Sequence, residues 1–554
     1  MVNNYPHIDK DLSHWPITKQ SQDREGFIDR LNDFVVKQLL ENHKDLYSLI
    51  SKTIYLEKQR VKLSPWKVDP PDDKEYWNKI TKDLEVSQSL EDKYEIQLNL
   101  LKKIVNRYNN EIVPKFKPGT FKFGRFFLTT FFSRIFNRYF EKGMFRWGNK
   151  SDLSKKIILK GPVEKIRELY KKGTLVMVPT HYSNLDSIMI GYAIDTNVGL
   201  PFFSYGAGLN LLNNEIVGYF IDRLGAFRVD RRKKNPIYLE CLKSMTSYSV
   251  YEGLNCLFFP GGTRSRSGRT EDKLKLGLLG SAIEAQRIHI EGGSDKRVFL
   301  VPLCVGYHFV MEAPSLVDQH LRSLGNEQYS RSGSAKPTSS SLWKFFKQIY
   351  TKSSEVYMSF GEPLDILGNV VDIKGNSVDK FGNPIQIKDY FISENSIAND
   401  KQRDGVYAKN LAEVLVKSYK KYNVILSSNV VSFTAFHMIN NEFKEEGYIS
   451  LINKKNKTYD IACEEFFENV KKIVEFIKGM NKNGEVTLSN EPWEDIEVII
   501  KMGIEKGGIY HSKPLLEINK NNVILCRDFS LLYFYHNRLC NYGLESLMGW
   551  HTVE

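Results

Sequence analysis

The spacing of apolar residues changes twice along this chain. Over residues 1–113, Leu, Ile and Val recur three and four apart inside long charged stretches, around 24–60 and 74–108. That period predicts amphipathic helices. From 155 to 310 the pattern becomes short apolar runs followed by helical stretches. The runs cover 175–179, before a helix from about Asn184; 254–260, before a helix near 274–288; and 298–303. Such alternation predicts an α/β domain with a mostly parallel sheet flanked by helices. From about 400 onward helical spacing returns, with amphipathic stretches near 405–421 and 459–479. The expected organisation is a helical N-terminal region (1–114), a distinct segment (115–150), the α/β domain (151–395) and a mainly helical C-terminal region (396–554).

Two stretches fit neither period. Residues 325–341 are rich in Ser, Gly and Asn and predict a flexible loop. Residues 365–385 repeat Asp-x-x-Gly-Asn every seven residues. Stacked turns or small hairpins are expected, since the acid density is too low for a calcium loop.

The segment 115–150 stands apart in composition. It holds nine Lys or Arg, one acid (Glu141) and twelve aromatics. A helix starting near Gly124 would place Phe127, Phe131, Ile135 and Tyr139 on one face, with Leu128, Phe132, Phe136 and Phe140 beside them. Aromatics flanked by cations suit an interfacial helix on an anionic membrane, whereas a core helix seldom carries so many cations. No window offers about 18 apolar residues in a row, so membrane contact is expected to be peripheral or monotopic. The start of the chain lacks the basic-then-apolar order of a secretory signal, which places the expected contact on the cytoplasmic face.

Bulk composition sharpens this picture only partly. Apolar content of 42% is ordinary for a folded core, and a net charge of +12 favours anionic partners. The six cysteines show no Cys-x-x-Cys spacing, so neither a zinc site nor a disulfide framework is expected. No nucleic-acid-binding module is present, and the cations cluster with aromatics and phosphate-type loops; nucleic acid is not an expected partner.

Four short blocks carry candidate chemistry. In His-Tyr-Ser-Asn-Leu-Asp (181–186), His181 is the only one of eleven histidines with Asp five residues on. It follows an apolar strand and opens a helix. Asp186 could fold back on the imidazole, hold its tautomer and leave the other ring nitrogen to take a proton. On spacing alone the pair fits a surface turn better, with Asp186 as a helix N-terminal acid. In Phe-Phe-Pro-Gly-Gly-Thr-Arg-Ser-Arg-Ser-Gly-Arg (258–269), Gly261 and Gly262 permit close backbone approach. Arg264, Arg266 and Arg269 supply forked donors for phosphate, and Thr263, Ser265 and Ser267 add hydroxyls. The block Gly-Ala-Phe-Arg-Val-Asp-Arg-Arg (225–232), with Lys233 and Lys234, is another cationic cluster. Val-Pro-Leu-Cys-Val-Gly-Tyr (301–307) alone is a buried strand containing Pro302.

Together and in this order, the four blocks resemble the glycerophospholipid acyltransferase superfamily, and within it the glycerol-3-phosphate acyltransferase branch. Residues 205–211, 264–269, 306–312 and 359–364 support that branch, and similarity runs over roughly 155–545. The resemblance implies a glycerolipid acyltransferase-like α/β fold. It implies a general base, His181, oriented by Asp186 and acting on the sn-1 hydroxyl of glycerol-3-phosphate. Acyl-CoA or acyl carrier protein would be the co-substrate, with no cofactor and no metal. Arg231, Gly262, Thr263, Arg264, Ser265 and Pro302 fall at substrate-binding positions. Dihydroxyacetone phosphate or lysophosphatidate as acceptor, and a non-catalytic membrane scaffold, are the alternatives. Two departures stand out. The family usually has Glu where this chain has Gly261, so either another acid replaces it or acceptor preference differs. Asp230 takes a place that is often Arg in this branch.

Overall fold

The computed structural model describes residues 4–136, 156–209, 215–323, 355–393, 396–454, 457–509, 511 and 513–550. The expected loop at 325–341 and residues 137–150 of the 115–150 segment lie outside them. The apolar runs of the middle third form seven strands: β1 (Ile157–Lys160), β2 (Gly173–Pro179), β3 (Ser204–Gly208), β4 (Ala226–Val229), β5 (Cys256–Leu257), β6 (Arg297–Tyr307) and β7 (Val356–Phe360). Their order across the sheet is β1-β7-β6-β2-β5-β3-β4. Every pairing is parallel except β6 with β7. The sheet is therefore mostly parallel, as the strand–helix alternation predicts.

Burial on both faces explains the continuous apolar runs. Leu175, Met177, Phe299 and Val301 point into one core, while Val176, Val178, Val298 and Leu300 point into the other. Pro302 lies in this central sheet in register with Val178. It is tolerated because β7 pairs with β6 only from Leu303 onward.

The helices used below are α1 (Arg24–Asn42), α2 (Leu46–Leu63), α3 (Asp73–Ser87), α4 (Lys93–Ile112), α5 (Pro118–Phe136), α6 (Asp186–Ala193), α7 (Pro236–Tyr251), α8 (Leu276–Glu291), α9 (Lys401–Tyr422), α10 (Ser427–Glu442) and α11 (Phe529–His536). α1–α4 share a core with α7. Behind that core, Arg60 bridges Glu57 at 2.8 Å and Asp73 at 2.5 Å, and Asn235 reaches Glu57 at 2.8 Å. α5 begins at Pro118 rather than near Gly124, because Pro suits the first helical turn. The C-terminal region is continuous with the sheet: residues of α10 and α11 join the core of β2 and β6, and the Tyr419 hydroxyl of α9 donates to the Val178 carbonyl at 2.9 Å.

The heptad repeat forms three stacked turns. Each of Asp365, Asp372 and Asp379 accepts from the backbone two and four residues on, and from the Asn side chain four residues on. Gly368, Gly375 and Gly382 take positive φ in these turns.

Candidate active site

Two neighbouring parallel strands end at the same edge of the sheet, so their following loops emerge side by side. β2 leads into 180–185 and α6; β5, paired with β2, leads into the Gly-Gly-Thr-Arg loop. Asp186 opens α6 and is 0% exposed. Its Oδ2 lies 2.9 Å from His181 Nδ1 and accepts from the amides of Tyr182 (2.6 Å) and Ser183 (2.8 Å). Its Oδ1 accepts from the Tyr307 hydroxyl on β6. A carboxylate only accepts, so the neutral imidazole donates through Nδ1–H and keeps the lone pair on Nε2. The His181 side chain is 17% exposed and stacks on Phe259 at 3.9 Å.

The basic loop is fastened to this histidine. The Ser265 amide donates to the His181 carbonyl at 2.8 Å. Gly262 has φ +77°, and a Cβ there would lie 2.6 Å from the Lys275 side chain; only glycine lets Lys275 cover the loop. Arg231 donates to the Gly262 carbonyl at 2.5 Å. Arg264 pairs with Glu312 at 3.3 Å, and Glu312 also accepts from Ser183 Oγ and the Asn184 amide. Burial, then the positive charges of Arg264 and Arg266, lower the Arg231 pKa from its ordinary value. Three guanidiniums thus share one field beside His181, an arrangement that an anion would relieve.

The place of the missing acid is filled from elsewhere. A Cβ on Gly261 would sit 2.9 Å from Glu271 Cγ and 3.3 Å from its Oε1. Glu271 Oε1 accepts from the His181 amide at 2.7 Å, whereas its Oε2 is buried without a hydrogen-bond partner among the described residues. Burial pushes the Glu271 carboxyl up to about 7. An acid neutral in the fold but ionised when unfolded stabilises the fold fully below its ordinary value of 4.5, and that stability is lost as pH rises through about 7. Glu271→Gln is therefore expected to lose less Tm than wild type between about pH 5 and about pH 8. Parallel Tm curves for the two proteins would show that Glu271 does not titrate there.

Residues 162–306, which contain every one of these sequence-derived site positions, match the family profile described as Acyltransferase. This region is an acyltransferase-family domain. The chain is also similar to proteins named glycerol-3-phosphate acyltransferase. The protein from Alteromonas mediterranea is 29% identical over 46% of this chain and 27% of its own length. Those from Pseudoalteromonas translucida and Glaesserella parasuis are 25% and 22% identical, over 62% and 70% of this chain. The chain spans 39% and 42% of those two relatives' own lengths. Among solved structures, a 1-acyl-sn-glycerophosphate acyltransferase from Thermotoga maritima aligns over 68% of this chain and 97% of its own, with 13% identity and a TM-score of 0.24.

The acyltransferase domain uses its motif residues unequally. His181, Asp186, Arg231, Gly262, Arg264 and Ser265 come together, and Thr263 lies between Gly262 and Arg264 in the same loop. Ser265 is committed to the loop itself: its hydroxyl donates to the Arg269 carbonyl at 2.7 Å and accepts from the Gly268 amide at 3.1 Å. Pro302 lies on the opposite side of the sheet core from the Met177 face, and a Cβ on Gly361 would be 3.0 Å from it. Of the 225–234 cluster, only Arg231 reaches the site. Arg232 binds Asp230 at 2.7 Å and Asp69 at 3.1 Å and stacks on Trp66, and Lys233 pairs with Glu111; both hold the N-terminal helices. Sequence reasoning missed Glu271, Tyr307, Glu312 and Lys275. It also missed Arg538, whose guanidinium lies 3.0 Å above the Tyr182 ring. Tyr307 and Glu312 end two of the blocks that carry the resemblance, but which partner each would meet has no local signal, because all five are recruited across the fold.

Proposed function

We propose that this chain moves a fatty acyl group from an acyl thioester, acyl-CoA or acyl carrier protein, to the sn-1 hydroxyl of glycerol-3-phosphate, giving lysophosphatidate. One observation carries the reading: a histidine with its Nδ1 held by a buried carboxylate stands beside a glycine-rich loop that carries Arg264 and Arg266 and receives Arg231 from the loop after β4. Nε2 of His181 takes the proton of the hydroxyl as its oxygen attacks the thioester carbonyl. The tetrahedral intermediate collapses, the C–S bond breaks, and the thiolate recovers the proton from Nε2. Asp186 supports the imidazolium in between. Arg231 and Arg264, with Arg266 and Lys275 nearby, hold the phosphate and so fix the hydroxyl near Nε2. The acyl group passes directly between substrates, without an acyl-enzyme. The names of the relatives support glycerol-3-phosphate as the acceptor. Glu271, in the space left by Gly261, supplies an acid beside the acceptor pocket. A donor-by-acceptor assay on purified protein tests the reading. Transfer to glycerol-3-phosphate is expected to exceed transfer to dihydroxyacetone phosphate and lysophosphatidate; absence of transfer to all three sinks it.

Membrane association belongs to the same proposal. Phe123, Phe126 and Phe127 on α5 are 57%, 59% and 56% exposed, with exposed Lys117 and Lys122 nearby. The opposite face buries Phe121 against Trp15 and Phe116. No described helix is long and apolar enough to cross a membrane. The exposed face therefore suits peripheral contact with anionic lipid. Phe126→Ser with Phe127→Ser is expected to weaken binding to anionic vesicles at least about tenfold, since each buried Phe is worth roughly 1.5–3 kcal/mol. Unchanged vesicle co-sedimentation would remove α5 as the contact.

A further inference from the structure

Four polar side chains meet in the apolar interior of the C-terminal region, away from His181. His437 comes from α10, His536 from the end of α11, Cys540 from the turn that follows and Glu545 from the short helix Leu544–Leu547. The ligating atoms of His437, His536 and Cys540 all lie within 4.8 Å of one another. Glu545 Oε1 is 3.8 Å from His437 Nε2. His437 is 1% exposed and His536 0%.

Hydrogen bonding leaves the two histidines partly unsatisfied. Neither ring nitrogen of His437 has a partner among the described residues, and neither does Nε2 of His536. His536 Nδ1 lies 2.5 Å from the Tyr533 carbonyl. That carbonyl can only accept, so Nδ1 carries the proton and Nε2 presents a bare lone pair to the cluster. Neutral imidazole is the form that ligates metals. An unpartnered buried donor or acceptor costs about 1–3 kcal/mol. Here three ring nitrogens bear that cost, beside a thiol and a carboxyl.

We propose that His437, His536, Cys540 and Glu545 bind one divalent transition-metal ion of borderline softness, of the zinc class. Two neutral imidazoles, one thiolate and one carboxylate exactly cancel a double positive charge, which suits a dry interior. Bonds of about 2.0–2.3 Å at tetrahedral angles separate ligand atoms by about 3.3–3.8 Å, so His437, His536 and Cys540 need to close by up to about 1 Å and Glu545, beside His437, to swing in as the fourth ligand. With four protein ligands the site is closed and structural, not catalytic. It would staple α10, α11 and the last helix together behind the basic loop. The link to that loop is direct: Asn537, next to His536, donates to the Ser267 carbonyl at 2.9 Å and accepts from Arg269 Nε at 3.1 Å. Cys540 Sγ lies 3.3 Å from the same Asn537 oxygen.

The test uses the full chain without a histidine tag. Metal is stripped with a chelator and Co²⁺ is added back. The expected result is about one equivalent bound, with the visible bands of tetrahedral Co²⁺ and a near-ultraviolet thiolate-to-metal band. Cys540→Ser is expected to abolish the thiolate band and weaken binding by about tenfold or more, and His437→Gln to weaken it similarly. Replacing the exposed His14 with Gln should change nothing. Absence of both bands in wild type overturns the proposal, as does persistence of both bands in the two ligand variants. Wild-type spectra decide the matter even where a variant fails to fold. Because the readout is binding, its failure leaves the acyl-transfer reading untouched.

Discussion

His181→Ala is expected to lower kcat for acyl transfer by about 10²–10⁴-fold, the range that a positioned general base contributes. KM for glycerol-3-phosphate should change little, because in the proposed mechanism Arg231, Arg264 and their neighbours hold the phosphate and the imidazole does not. The fold should survive. The backbone of residue 181 keeps both tertiary bonds, the amide to Glu271 and the carbonyl to the Ser265 amide. The losses are the Asp186 contact and the stack on Phe259, both at the partly exposed edge of the cleft. Retention of more than about a tenth of wild-type kcat would remove His181 as the base and favour a non-catalytic role.

Asp186→Ala is expected to destabilise the protein by roughly 3–5 kcal/mol, the cost of stripping one partner from a buried charged network. Four donors point at this fully buried carboxylate: His181 Nδ1, the amides of Tyr182 and Ser183, and the Tyr307 hydroxyl. Alanine leaves all four unmatched. Asp186→Asn separates structure from charge. Its carbonyl oxygen can take the Oδ2 place and keep three of the bonds. Its amide then meets the Tyr307 oxygen, which can turn to accept. The Asn variant should therefore lose less than half the stability lost by Ala, while its turnover falls by orders of magnitude because no charge supports the imidazolium. Denaturant unfolding of both variants checks this. Equal stability of Ala and wild type would mean that the carboxylate does not anchor the loop.

The residues that were legible in advance share a property. The β2 run, the His181 loop after it and the Gly261–Gly262 turn are consequences of neighbours in sequence. A strand buried on both faces has to be apolar throughout, and a loop at its carboxyl end has to carry whatever the cleft presents. The helical period of α1–α4 and the repeated Asp-x-x-Gly-Asn turns were visible for the same local reason. α5 starts at Pro118, six residues before the start that its aromatic period predicts, because Pro suits the first helical turn. Its exposed aromatic face includes Phe123 and Phe126 along with Phe127.

Partners supplied from a distance were not legible. Nothing local distinguishes Arg231, which reaches Gly262, from Arg232 and Lys233, which turn to Asp69 and Glu111. Glu271 lies ten positions beyond the glycine whose space it fills. Tyr307 reaches Asp186 only because β6 is the neighbour of β2 in the sheet. His536 and Cys540 stand four apart, as ligands on one helical face do, but His437 lies about a hundred residues earlier. By itself the sequence determined the α/β alternation, the histidine loop and the basic glycine loop, because backbone period and turn chemistry act over a few residues. The tertiary structure alone decided which cations face the cleft, which acid fills the space beside Gly261 and which buried histidines meet. Those outcomes depend on strand order and helix docking, which bring together side chains that no spacing along the chain relates.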